Sequence, residues 1–217
     1  MTHGTRRLAG DRGPLFCYRD PVAKHDIVRA GSPVLRDRAA EVPPEELGTK
    51  PLLSLVRTMV EAMRRAPGVG LAAPQIGVAK RVIVLEDAER LMAKLGPAER
   101  ADRERAPFPL RVVVNPVLTV VDEAPRVFFE GCLSVPGWSA LVSRAREVEV
   151  AGTDEHGAPV SWRVAGWPAR ILQHEVDHLD GTLYVDRMLT RTFSHNEEAA
   201  AHWLALPVTT VREKLRA

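Results

Sequence analysis

The sequence predicts an α+β fold. Short runs rich in β-branched residues fill the middle of the chain, helical periodicity is confined to a few segments, and the two kinds do not alternate. Strict alternation would have pointed to parallel βαβ units.

Residues 1–25 are polar, Gly-bearing and aperiodic, and read as a loose extension. Over residues 50–65 the apolar Leu52, Val56, Met59, Val60 and Met63 recur at helical spacing, with Pro51 suited to the first turn. Pro67 and Gly68 end that helix. Residues 81–86 (RVIVLE) and 110–121 (LRVVVNPVLTVV) read as strands, the second interrupted at Asn115 and Pro116. The charged stretch between them reads as one short helix (AERLMAKL) and an exposed loop. Further strands are expected at 126–129, 141–151 and 159–165, with a turn over 154–157. Pro168 opens a second helix with Ile171, Leu172 and Leu179 on its apolar face, stopped by Asp180 and Gly181. Ser194 with Glu197 has the form of a capping box before a third helix running to Leu206.

At 217 residues and 45% apolar composition, the chain suits one soluble domain with a real core. Its formal charge of +2 is too balanced to suggest a nucleic-acid binder. Two cysteines, Cys17 and Cys132, lack disulfide-framework spacing, which points to a reducing compartment. The N-terminus shows no apolar run of secretory length, and no stretch approaches the roughly 18 apolar residues of a spanning helix. The expectation is a cytoplasmic protein without membrane contact, with an organellar transit segment as the alternative. Lysine occurs only at 24, 50, 80, 94 and 214, an Arg preference in keeping with a GC-rich bacterial genome.

The strongest local signal is His174-Glu175-Val176-Asp177-His178 inside the second helix. Histidines four apart share one helix face and can chelate one ion, while Glu175 is rotated beside that ion, where a general base for water is needed. A catalytic divalent ion usually takes three protein ligands, so a third is required. His195 and His202 lie downstream, but Tyr184 stands where the HExxHxxGxxH spacing would end. Cys132 is the better candidate, in Glu130-Gly131-Cys132-Leu133-Ser134, where Gly131 lets backbone approach closely. A third segment, residues 68–75 (GVGLAAPQ), leaves room for an extended ligand and supplies an amide donor at Gln75, but lacks the Lys and Ser/Thr of a phosphate-binding loop.

Together GVGLAAPQ, EGCLS and QHEVDH, in this order, closely resemble the three signature motifs of peptide deformylases, over about residues 26–193. The stretch GWPARILQHEVDHLDGTLYVDRM resembles the mitochondrial-type branch, which has bacterial relatives. The resemblance implies the deformylase α+β fold, with mixed β-sheets around a central HExxH helix. It implies a catalytic domain over 26–193, after the extension 1–25 and before a C-terminal helical tail, 194–217. It implies hydrolysis of the formyl group from the N-terminal methionine of nascent polypeptides, with formyl-methionyl peptides as partners and the ribosome as a candidate docking partner.

By the same resemblance Cys132, His174 and His178 hold the metal, Fe²⁺ in the cell, with Ni²⁺, Co²⁺ or Zn²⁺ able to replace it in purified protein. Glu175 is the acid/base, and the Gln75 amide and Leu133 backbone N–H meet the oxyanion. The peptide backbone is expected beside Val69 and Gly70, near Gly131, and the methionine side chain among Val69, Glu130, Trp167, Ile171 and His174. Trp138 and Ser139 stand where many bacterial members carry a charge, and Arg170 stands where an apolar residue is expected. Preferences beyond methionine are left open by both. Asp177, turned off the metal face, is expected to pair with Arg144. The rival readings are another metal-dependent peptidase or amidase, and a binding module that keeps a structural metal.

Overall fold

The computed structural model describes residues 26–66, 68–93 and 95–217. The expectations for residues 1–25, Cys17 included, and for Pro67 fall outside the described residues. Helix α1 (Lys50–Arg65) follows the periodicity, with Pro51 in its first turn and Leu52, Val56, Met59, Val60 and Met63 all buried. Strands β1 (Gly70–Ala72), β2 (Val82–Asp87), β3 (Phe108–Cys132), β4 (Val135–Thr153) and β5 (Pro159–Ala165) form one sheet in that order, and β6 (Ser194–His195) joins β4. Among the described residues α2 (Pro97–Asp102), α3 (Gly166–Leu179), α4 (Tyr184–Arg187), α5 (Asn196–His202) and α6 (Val208–Leu215) complete the helices. None of them is long and apolar enough to cross a membrane.

The α+β class is as expected, with the strand pairings antiparallel. The mixed character is reduced to an isolated parallel bridge between Ala40 and Lys80. Connections as short as Leu133–Ser134 between β3 and β4 leave no chain for the crossover that a parallel pair needs.

Strand β2 explains why RVIVLE does not alternate apolar with polar. Val82 and Val84 pack into the core built on α1, while Ile83 and Leu85 pack with Ile171, Leu172 and Leu179 of α3. Both faces of the strand are therefore dry. Each such buried aliphatic side chain contributes about 1.5–3 kcal/mol. The two cores clamp the sheet between α1 and the HExxH-bearing α3, which fixes where the metal-site helix lies.

Three local expectations are corrected. Asn115 and Pro116 do not end a strand: Asn115 takes a positive φ of 52°, and the pairing with β4 shifts register between Val114 and Val117. Its side chain stands in for the lost ladder, exchanging two hydrogen bonds with the Val42 backbone at 2.8 and 2.9 Å. The helix expected over AERLMAKL is a 3-10 turn at Glu89–Met92, and the α-helix comes later, starting at Pro97. Ser194 is no cap: it pairs with β4, its hydroxyl donates to the Thr192 carbonyl, and α5 starts two residues on and ends at His202.

Candidate metal centre and cleft

Helix α3 places His174 and His178 one turn apart, with ring centroids 5.0 Å from each other. Cys132 reaches them from the end of β3, because the Leu133–Ser134 turn aims the hairpin tip at the helix. Its Sγ lies 3.3 Å from His178 Nε2. One donor atom each from Cys132, His174 and His178 lies within 4.8 Å of the other two. A thiol and two imidazoles at this spacing suit a divalent ion of the Fe²⁺ to Zn²⁺ series. Among the described residues no other three-ligand group converges in this way.

The electrostatics fit a cation. Burial drives the His178 pKa well down, helped by the neighbouring His174, so the ring is held in the neutral form that ligates. Burial also disfavours the charged form of His174, but hydrogen bonds to Cys132 and Glu130 outweigh it and raise the pKa. His174 Nδ1 lies 3.1 Å from Glu130 Oε2, which leaves Nε2 for the metal. Glu175 is buried with its Oε2 unpartnered among the described residues, and burial pushes its carboxyl up to about 7. It has that position because residue 70 is glycine. A Cβ on Gly70 would sit 2.3 Å from Glu175 Oε1.

The groups open onto a cleft of about 560 Å³. Val69, Gly70, Gln75, Glu130, Gly131, Cys132, Leu133, Trp167, Ile171, His174 and Glu175 all line it, whereas His178 is fully buried. Gln75 has its carboxamide oriented: Oε1 accepts from the Ala72 N–H at 2.9 Å, and Nε2 points towards Cys132 Sγ and Ser134 Oγ.

The polypeptide deformylase family model matches residues 24–193. The chain belongs to that family. It is 50% identical over 171 residues to a chloroplastic peptide deformylase 1A of Solanum lycopersicum, a match covering 79% of this chain and 62% of the relative. The chain thus accounts for less than two thirds of that relative's length. To the mitochondrial peptide deformylase of Homo sapiens it is 46% identical over 193 residues, covering 89% of this chain and 76% of the human one, in keeping with the expected branch. Among solved structures, a class I type b peptide deformylase from Acinetobacter baumannii with Met-Ala-Ser bound superposes with TM-score 0.66 at 35% identity. That match covers 75% of this chain and 96% of the neighbour.

Around this cleft, one network is larger than the sequence suggested. Glu130 lines the wall, but its carboxylate turns inward to Arg144 by two bonds of 2.9 Å, to Arg170 and to His174. His174 and Arg144 hold its pKa down against burial. The expected Arg144–Asp177 pair is present, and Arg187 adds two bonds of 2.7 Å to Asp177. Arg170, anomalous as an apolar position, is explained by its place: it is 3% exposed, bonded to Glu130 and the Val142 carbonyl, with its guanidinium over the Phe128 and Trp167 rings. Removing one member of such a buried network typically costs about 3–5 kcal/mol, because the remaining charges stay unpaired. Nothing in the motif spacing marked Arg187.

Proposed function

We propose that this chain is a metal-dependent deformylase that hydrolyses the formyl group from N-terminal formyl-methionine of nascent polypeptides and releases formate. The observation that carries it is Glu175: a buried carboxylate with one free oxygen, placed beside three converging ligands and facing the cleft. A purely structural metal site has no use for such a group. Cys132, His174 and His178 would hold the ion, for which we assign Fe²⁺. Bound there, it would supply Lewis-acid polarisation and activation of water.

Glu175 takes the proton from the attacking water and returns it to the departing amine. The Gln75 Nε2 and the Leu133 backbone N–H serve as donors to the developing oxyanion. Strand β1 is the edge of the sheet, so the substrate backbone can run antiparallel to it at Val69 and Gly70, passing Gly131. Val69, Glu130, Trp167, Ile171 and His174 enclose the methionine side chain, in line with the Met-Ala-Ser held by the Acinetobacter neighbour. We assign catalysis to residues 26–193, a cytoplasmic location to the protein, and ribosome contact to the helical tail 194–217.

Gly70→Ala is expected to retain the metal and lose about 10²-fold in kcat, because the new methyl must displace the base and misplacements near 1 Å have that effect. Metal analysis beside steady-state kinetics checks it; unchanged kcat would mean that Glu175 need not stand where it does. The function itself is tested by incubating metal-loaded protein separately with formyl-Met-Ala, acetyl-Met-Ala and an internally cleavable peptide. Release of formate is expected, with acetate release and internal cleavage near background, since the family resemblance implies room for a hydrogen on the carbonyl carbon, but little for a methyl, between Gln75, Leu133 and the ligands. Internal cleavage at a comparable rate would favour a peptidase, and inertness towards all three a binding module.

A further inference from the structure

Gln75 and Leu133 come from separate elements, the 3-10 turn Ala73–Ile76 after β1 and the tip of the β3–β4 hairpin, yet must act on one oxygen atom. Their side-chain link is thin: Gln75 Nε2 lies 3.3 Å from Ser134 Oγ and 3.5 Å from Cys132 Sγ. A second link comes from further back in the chain. The Val28 N–H donates to the Gln75 carbonyl at 2.8 Å, and two residues on the Ala30 N–H donates to the Ser134 carbonyl at 2.7 Å. Ile27, just before them, lines the cleft.

We propose that residues 27–30 act as a positioning strap, whose two backbone amides fix the spacing of the Gln75 turn and the Leu133–Ser134 turn. The inference rests on the oxyanion roles given to Gln75 and Leu133. Two residues of chain span at most about 7 Å, so one short stretch carrying both amides limits how far the two turns can separate. The side chains of Val28 and Ala30 need not take part. The strap touches neither the metal ligands nor Glu175 through these bonds, so it should govern stabilisation of the oxyanion without governing metal retention.

Proline removes a backbone N–H without removing the chain that carries it. The test compares Val28→Pro and Ala30→Pro with Val28→Ala, which keeps the amide. Hydrogen exchange over residues 70–76 and 131–136 should accelerate at least about tenfold in the proline variants and remain unchanged in Val28→Ala. With formyl-Met-Ala, kcat should fall about tenfold or more in the proline variants, KM should move less than about threefold, and metal content should stay full. Unchanged exchange in both turns overturns the strap. Exchange that rises while kcat holds shows a tie without a positioning role and overturns the proposal as well. Metal lost together with kcat, or KM rising as far as kcat falls, would reduce the segment to ordinary support or to a cleft wall. Should the unaltered protein release no formate, the functional reading fails, and the exchange data still decide whether the strap exists.

Discussion

Glu175→Gln is expected to lower kcat for formyl-Met-Ala by about 10²–10⁴, the range that general acid–base catalysis contributes, while metal content stays full. The substitution keeps the size of the side chain and its place under Gly70, so the cleft is not reshaped. It removes the carboxylate to which the proton transfer is assigned. The donors Cys132, His174 and His178 are untouched, and the carboxylate at Glu130 that supports His174 is also untouched. Kinetics with metal analysis on the same preparation separates the two effects. A variant retaining most of its turnover would mean that the proton travels by another route, and the role given to Glu175 would fall.

Cys132→Ala is expected to abolish activity through loss of the ion. Removal of a group that merely supports a ligand already costs about 10–100-fold in metal affinity; removal of a ligand that also carries the charge should cost more. The two imidazoles would remain 5.0 Å apart on α3 with no third donor among the described residues converging on them. Metal content and kcat should therefore fall in parallel, in contrast to Glu175→Gln. Full occupancy in Cys132→Ala would place the third ligand elsewhere and reopen the peptidase reading.

How far the structure was legible depended on the range of the signal. Helix α1 could be read because its apolar residues recur within one element, and β2 because burial on both faces leaves a run of β-branched residues. The strand β3 could not be read as continuous, since a bulge at Asn115 is repaired by Val42, more than seventy residues away. The helix start at Asn196 was missed for a similar reason: Ser194 and His195 are taken by pairing with Ser139 and Trp138, a tertiary demand that overrides the local capping pattern.

The site divides the same way. His174, Glu175 and His178 announce themselves by helical spacing, whereas Cys132 and Gln75 arrive from other elements: local sequence made them candidates, and family resemblance supplied their roles. Arg170 and Arg187 show the remaining limit. A sequence displays thirty basic residues without saying which are buried against a carboxylate.

The place of β1 at the edge of the sheet, among the described residues, carries a consequence about timing. A strand that takes its pairing partner from outside the molecule can accept only a chain end whose own backbone groups are still uncommitted. Once the first residues of a new protein have entered a helix or sheet of their own, their amides and carbonyls are spoken for, and presenting them to this edge would mean undoing that structure. Under the proposed function the protein is therefore in a race with the folding of each of its clients, and a client whose N-terminus folds early would be expected to keep its formyl group more often than one whose N-terminus folds late.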